Sequence, residues 1–101
     1  MATYAMLTRL SPEALTKPEA FMELNRKVAD RIKQECPGVK WLANYAVLGP
    51  CDYLDIFEAP DADAATRVSL LVRLFGHATT ETWLVTPWDR FTDLAKRLKA
   101  L

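Results

Sequence analysis

The chain has 101 residues, of which half are hydrophobic, and its 13 acidic side chains balance its 13 basic ones. A chain of this length and apolar content predicts one folded domain rather than a disordered segment. The balanced charge argues against binding to nucleic acid or to an anionic membrane surface. No apolar run reaches the roughly 18 residues of a membrane span, and residues 1–10 lack the charged-then-apolar order of a signal peptide.

The two cysteines, Cys36 and Cys51, show none of the spacings typical of a metal site. Reduced thiols and a cytoplasmic location are therefore expected. We also expect no cofactor and no bound metal, because the sequence contains no recognised ligand spacing for either; metal binding through Asp55, Glu81 and His77 is the alternative.

A strand and a helix are predicted in the first third of the chain. The apolar, aromatic-bearing residues 2–10 are typical of a strand. The segment Thr16–Glu19 has the spacing of a capping box, which predicts that a helix begins there. Pro37 and Gly38 end this helix near Cys36. Its apolar face recurs at helical spacing and comprises Phe21, Leu24, Val28 and Ile32.

A hairpin is predicted in the middle of the chain. Residues 39–48 form its first strand, Gly49 and Pro50 turn the chain, and residues 52–58 form its second strand. Asp52, directly after the turn, is expected to accept backbone N–H bonds and to fix the hairpin.

The last part of the chain predicts a helix, a strand and a further helix. The first of these helices is capped by Asp61 or Asp63 and ends at Gly76. The threonine-rich residues 78–86 form a fourth strand. The segment Thr86–Asp89 repeats the helix-start signature. The apolar face of the terminal helix comprises Trp88, Phe91, Leu94 or Ala95, and Leu98.

The order β-α-β-β-α-β, followed by a C-terminal helix, predicts an α+β protein of the ferredoxin-like type. Such a fold has a four-stranded antiparallel sheet with two helices on one face. The other face of the sheet is then left without cover from this chain.

Side-chain alternation along each strand predicts which residues occupy that uncovered face. In the third strand, Leu54 and Ile56 are assigned to the helix side. The residues assigned to the uncovered face are Tyr53, Asp55 and Phe57 in the third strand and Tyr4, Met6 and Thr8 in the first. Alternation is less clear in the fourth strand, where an inward position of Thr82 and Leu84 leaves Glu81, Trp83 and Val85 on the uncovered face. A monomer rarely exposes so large an apolar surface. We therefore expect a homodimer or higher homo-oligomer in which a second copy covers this face.

The hairpin sequence VKWLANYAVLGPCDYLDIFEAPD resembles the signature of the GYD-domain family, small bacterial and archaeal proteins. The family's Gly-x-Tyr-Asp corner corresponds to Gly49–Asp52, with Cys51 in place of the tyrosine, and the acidic-Ala-Pro-Asp ending corresponds to Glu58–Asp61. LTRLSPE and GHATTETW are also similar to family members. The resemblance covers nearly the whole chain. It implies a ferredoxin-like fold related to dimeric α/β barrels, and it implies no particular activity.

Asp55 is the main candidate for chemistry, because a carboxylate in the middle of a strand is costly unless it is paired or hydrated. As a general base it would use a raised pKa. A structural role, in which it forms a hydrogen bond across a dimer interface, is the competing interpretation. The predicted ligand-binding residues around it are Tyr4, Tyr53, Phe57, Glu81 and Trp83.

His77, the only histidine, is the second catalytic candidate, because an imidazole is the side chain best suited in general to proton transfer at physiological pH. We expect it beside Arg9 and Glu58, at the opposite end of the sheet from Cys51, which argues against a Cys51–His77 dyad. Cys51 itself is expected to be an unreactive turn residue, because the negative charge of Asp52 disfavours its thiolate.

Two functions are consistent with these features. The first is a homo-oligomeric binding or assembly module whose paired sheets enclose a small apolar ligand. The second is a small cofactor-independent enzyme, monooxygenase-like or isomerase-like, with Asp55 as its general base. A structural module that forms larger rings is a weaker third alternative.

Overall fold

A computed structural model describes residues 1–12 and 17–98 of the chain. Its elements are β1 (Ala2–Leu10), α1 (Pro18–Glu35), β2 (Lys40–Ala46), β3 (Tyr53–Ala59), α2 (Ala62–Phe75), β4 (Ala78–Val85) and α3 (Trp88–Lys96). The strands form an antiparallel sheet in the order β2-β3-β1-β4. This arrangement confirms the predicted ferredoxin-like fold with its additional C-terminal helix.

Local sequence signals explain most of the helix boundaries, but the starts of α1 and α3 differ from the predicted ones. The carboxylate of Asp61 caps α2 by accepting a hydrogen bond from the Ala64 amide at 2.8 Å. The N-cap of α1 is Lys17, whose side chain makes no capping bond, and Thr16 of the predicted capping box lies outside the described residues. Helix α3 begins after Pro87 rather than being capped by Thr86.

Gly76 ends α2, as predicted, for a steric reason. Its amide donates to the carbonyl oxygen of Val72 at 2.8 Å. A Cβ at position 76 would lie 2.5 Å from that same oxygen, so a larger residue would force the turn to shift. The residue that adopts the left-handed conformation is the next one, His77, with φ of 50°.

The residues of β1 and β3 predicted for the uncovered face of the sheet lie on its helix side instead, so this prediction was wrong. The prediction for β4 was confirmed. The side chains of Tyr4, Met6 and Phe57 are buried in the core with residues of α1 and α2, so they lie on the helix side of the sheet. Asp55 pairs with Met6, and Tyr53 pairs with Thr8, so both share that side. The physical reason is that both faces of these strands are apolar, and the larger side chains fill the space beneath the helices.

The face of the sheet opposite the helices is called the open face. Strand pairing assigns to it Thr3, Ala5 and Leu7 of β1, Ala43 and Tyr45 of β2, Leu54 and Ile56 of β3, and Glu81, Trp83 and Val85 of β4. Trp83 is 51% exposed and Tyr45 is 58% exposed. The open face is thus still a large apolar surface, although its composition differs from the predicted one.

Helix α3 extends away from the rest of the fold. It has no buried residue, and Trp88 at its start is 72% exposed. The ring of Trp88 stacks on that of Phe91, with centroids 5.2 Å apart. The radius of gyration, 15.8 Å, exceeds the value of about 13 Å expected for a compact domain of this length. Within the described residues, no helix combines the length and hydropathy needed to cross a membrane.

Candidate functional site

The corner between β2 and β3 holds the end of β1 in place. The Asp52 carboxylate accepts a hydrogen bond from the Leu10 amide at 2.7 Å, and the Asp52 amide donates to the Thr8 carbonyl oxygen at 2.8 Å. The Arg9 guanidinium donates to the Pro50 carbonyl oxygen at 2.6 Å. Asp52 therefore accepts a backbone N–H, as predicted, but it ties the corner to β1.

Cys51, in the middle of this corner, is buried and forms no disulfide. Cys36 is also buried and free, and burial raises the pKa of its thiol. A raised pKa reduces the thiolate fraction at neutral pH, which disfavours nucleophilic reactivity at Cys36.

The predicted position of His77 relative to Cys51 was wrong. Both β3 and β4 run antiparallel to β1, so both begin beside its C-terminal end. Cys51 and His77 therefore lie at the same end of the sheet, whereas Glu58 pairs with Thr3 at the other end. Strands β3 and β4 nevertheless lie on opposite sides of β1. Two strand spacings of about 4.8 Å each therefore separate the start of β3, near Cys51, from the start of β4, near His77.

His77 has a structural position at the end of α2. Its carbonyl oxygen accepts a hydrogen bond from the Ser11 amide at 2.8 Å, and its side chain is exposed. Asp55 pairs with Met6, which is five residues from Ser11 along the chain. Five residues of strand span about 16 Å. Asp55 and His77, the two predicted catalytic residues, are therefore not in contact within one molecule.

A cleft of about 620 Å³ lies between α1 and the sheet, and we call it the α1 cleft. Its apolar walls include Phe21 and Leu24 of α1, Met6 of β1 and Trp41 of β2. The rings of Phe21 and Tyr53 pack beside each other at its wall, with centroids 6.1 Å apart. Of the predicted site residues, the structure brings Tyr53 and Asp55 together in this cleft.

Asp55 and Asn44 form a polar pair inside the α1 cleft. The Asn44 amide donates to Asp55 Oδ1 at 2.7 Å. Burial raises the pKa of the Asp55 carboxyl, and the hydrogen bond from Asn44 opposes this rise. Asp55 is thus a carboxylate in a partly dehydrated site, where an added proton or a cation is favoured.

Tyr53 adds a third polar group to the same cleft. Its hydroxyl is buried and has no hydrogen-bond partner among the described residues. Burial is the main cause of the raised pKa of this phenol, with the negative charges of Asp52 and Asp55 adding to it. The phenol is therefore neutral at physiological pH and is available to donate or accept a hydrogen bond.

The other predicted ligand residues lie elsewhere. Tyr4 and Phe57 stack in the core, with ring centroids 5.6 Å apart, and Phe57 is 0% exposed. Glu81 and Trp83 lie on the open face, where the indole N–H donates to the Glu81 carboxylate at 2.9 Å. The predicted set of ligand residues is therefore divided among the core, the α1 cleft and the open face.

Sequence reasoning missed Asn44 and Phe21 as parts of the site. Asn44 pairs directly with Asp55 across the hairpin. Counting residues outward from the turn between Gly49 and Pro50 is the signal that pairs these two polar positions, because the strand irregularity near Trp41 lies farther from the turn. No group of three or more His, Cys, Asp or Glu residues in the described part of the chain is arranged to hold a metal ion.

Comparison with known proteins relates this geometry to a family. A family model described as the GYD domain matches residues 4–95. A protein of Thermus thermophilus is 35% identical over 103 residues, which cover 98% of this chain and 100% of the relative. The relative is named "Glutamine synthetase and cystathionine beta-lyase binding protein". The matched range includes the β2–β3 corner, the α1 cleft and the open face.

Proposed function

The chain belongs to the GYD domain family, and we propose that it is a binding and assembly module. In this proposal the protein forms a homodimer through its open face, and the dimer binds an enzyme partner. The full-length similarity to a relative named as a binding protein for two enzymes supports the second step.

The exposed apolar surface of the open face is the observation that carries the proposal. Trp83 and Tyr45 are both more than half exposed, and Leu54 and Ile56 lie between them on the same face. Such a surface is costly in water and is typical of an interface. A two-fold dimer is the simplest cover, because each copy then presents the same surface to the other.

The apolar face of α3 fits the same interpretation. Only Thr86 and Pro87 connect β4 to this helix. The helix packs extensively on no other described element, and its apolar residues remain exposed. We propose that it extends the dimer contact. A small apolar ligand between the paired sheets would contact Glu81 and Trp83, the two predicted ligand residues on the open face.

Light scattering of the purified protein tests the dimer. We expect a mass near twice the 11.4 kDa of one chain at micromolar concentration. Trp83→Glu is expected to weaken dimerisation at least tenfold, because it places a charge in a buried apolar contact. Leu74→Glu is the matched control, since Leu74 is exposed on α2, away from the open face. A monomeric wild-type protein would overturn the dimer.

Sedimentation velocity with purified glutamine synthetase from the same organism tests the enzyme partner. We expect the two proteins to sediment together, and cystathionine beta-lyase provides a second probe. Absence of both complexes, with the dimer intact, would overturn the enzyme-binding step alone.

A second candidate function is a cofactor-independent enzyme with Asp55 as its general base. The raised pKa of Asp55 and its position in a ligand-sized cleft favour this alternative. Mass spectrometry of a ligand incubated with the protein separates the two functions. A binding module returns the ligand unchanged, whereas an enzyme releases a product.

A further inference from the structure

The α1 cleft has the size of a small-molecule site. Its volume of about 620 Å³ lies within the range of about 300–1,000 Å³ that is usual for ligand pockets. It lies on the helix side of the sheet, opposite the surface that we assign to dimerisation. Binding in this cleft and association through the open face can therefore be measured separately.

Two polar groups of the cleft have unused hydrogen-bonding capacity. The Asn44 amide nitrogen is engaged with Asp55 Oδ1, so the second carboxylate oxygen of Asp55 faces no other described donor. The Tyr53 hydroxyl is buried without a partner in the described chain. A buried hydroxyl and a half-buried carboxylate without full pairing are costly, and a ligand that donates hydrogen bonds offsets that cost.

The charge of the cleft also favours a ligand that donates hydrogen bonds. Arg26 is the cationic side chain among the described lining residues, and it donates to Glu23 at 2.8 Å. Asp55 forms no ion pair within the described residues. A cationic ligand group would give this carboxylate a charge-assisted hydrogen bond.

The apolar walls of the cleft indicate the chemistry of the uncharged part of the ligand. Apart from the polar groups, the cavity is lined largely by apolar side chains, including Met6, Leu24 and Trp41. These surfaces favour a hydrocarbon or aromatic body, since burial of apolar area is the main source of affinity in such pockets.

We propose that the α1 cleft binds a small molecule that joins a protonated amine to an apolar body. The amine donates to Asp55, the Tyr53 hydroxyl supplies a further hydrogen bond, and the apolar body lies between α1 and the sheet. A carboxylate of the same shape is excluded, because it would meet the negative charge of Asp55.

Two probes that share a phenethyl body and carry opposite charges test this proposal by NMR titration of the full chain. The probes are phenethylammonium and 3-phenylpropanoate. We expect phenethylammonium to shift backbone amide signals around Asp55, Tyr53 and Phe21 in a saturable manner. We expect 3-phenylpropanoate to cause no saturable change at these positions.

Variants identify the groups responsible. Asp55→Asn is expected to weaken phenethylammonium binding at least tenfold, and Tyr53→Phe several-fold. Asp30→Asn is the matched control, because Asp30 is exposed on α1 and does not line the cleft. The proposal is overturned if neither probe binds, if both bind equally, if the shifted signals map to the open face, or if Asp55→Asn binds like the wild-type protein. The dimer mass is expected to stay unchanged in every variant.

Discussion

Helix α2 buries four side chains along its length, namely Ala65, Val68, Leu71 and Val72, whereas the longer α1 buries only Val28 and Ile32. The alanines and valines of α2 allow close approach to β4 and β3. The two buried residues of α1 lie in its second half, beside α2. In the first half of α1, Phe21 and Leu24 are only half-buried and cover the α1 cleft.

This difference explains where the sheet tolerates a polar residue. Beneath α2 the packing leaves Val68 and Phe57 without solvent exposure, and an unpaired charge there would be strongly destabilising. Beneath the first half of α1, the gap accommodates Asp55 and Asn44. The packing of α2 on the sheet therefore contributes mainly to stability, whereas the gap between α1 and the sheet provides the candidate ligand site.

Alanine substitution of two phenylalanines gives the largest expected contrast. Phe57→Ala is expected to reduce the free energy of unfolding by about 3–5 kcal/mol, because it removes a fully buried ring. Phe21→Ala is expected to cost about 1 kcal/mol, since a half-buried ring loses less apolar burial. Urea denaturation monitored by circular dichroism measures both. Equal losses would show that α1 packs as tightly as α2.

The helix starts provide a second, smaller contrast. Asp61→Ala is expected to cost about 1 kcal/mol, because it removes the side chain that caps α2. Lys17→Ala is expected to leave stability nearly unchanged, since the Lys17 side chain makes no capping bond to α1. The same denaturation assay applies. A cost for Lys17→Ala as large as that for Asp61→Ala would contradict the assignment of the caps.

The order of elements was predictable from sequence because its signals are local. Apolar periodicity marked α1 and α2, and glycine or proline marked the turn at Gly49 and the end of α2 at Gly76. The boundaries of β1 were predicted at both ends, as residues 2–10. These signals depend on neighbouring residues only, so they can be read without knowledge of the tertiary structure.

The faces of β1 and β3 were not predictable by alternation alone. In β3, Leu54 and Ile56 alternate with Tyr53 and Phe57, so both faces carry large apolar groups and the pattern fits either orientation. Packing against α2 decided the orientation, and it placed Phe57 in the core. Asp55 followed Phe57 onto the helix side, which moved the candidate site from the open face to the α1 cleft.

The smallest expected effect concerns the pH dependence of stability at Asp55. Burial raises the pKa of this carboxyl in the folded state despite the hydrogen bond from Asn44. A raised folded-state pKa means that the group favours folding below its unfolded pKa of about 3.9, and that this contribution is lost as the pH rises through the folded-state pKa. Asp55→Asn removes the charge, so we expect it to raise the melting temperature slightly at pH 7.

The difference in melting temperature between Asp55→Asn and the wild-type protein is expected to shrink as the pH falls through the raised folded-state pKa of Asp55, because the wild-type carboxyl then becomes protonated too. Differential scanning calorimetry of both proteins between pH 4 and 7 measures it. Asp30→Asn serves as the control, because Asp30 is exposed on α1 and its substitution is expected to give no comparable trend. A lower melting temperature for Asp55→Asn at pH 7 would mean that the carboxylate is well paired, and the α1 side of the sheet would then be as fully satisfied as the α2 side.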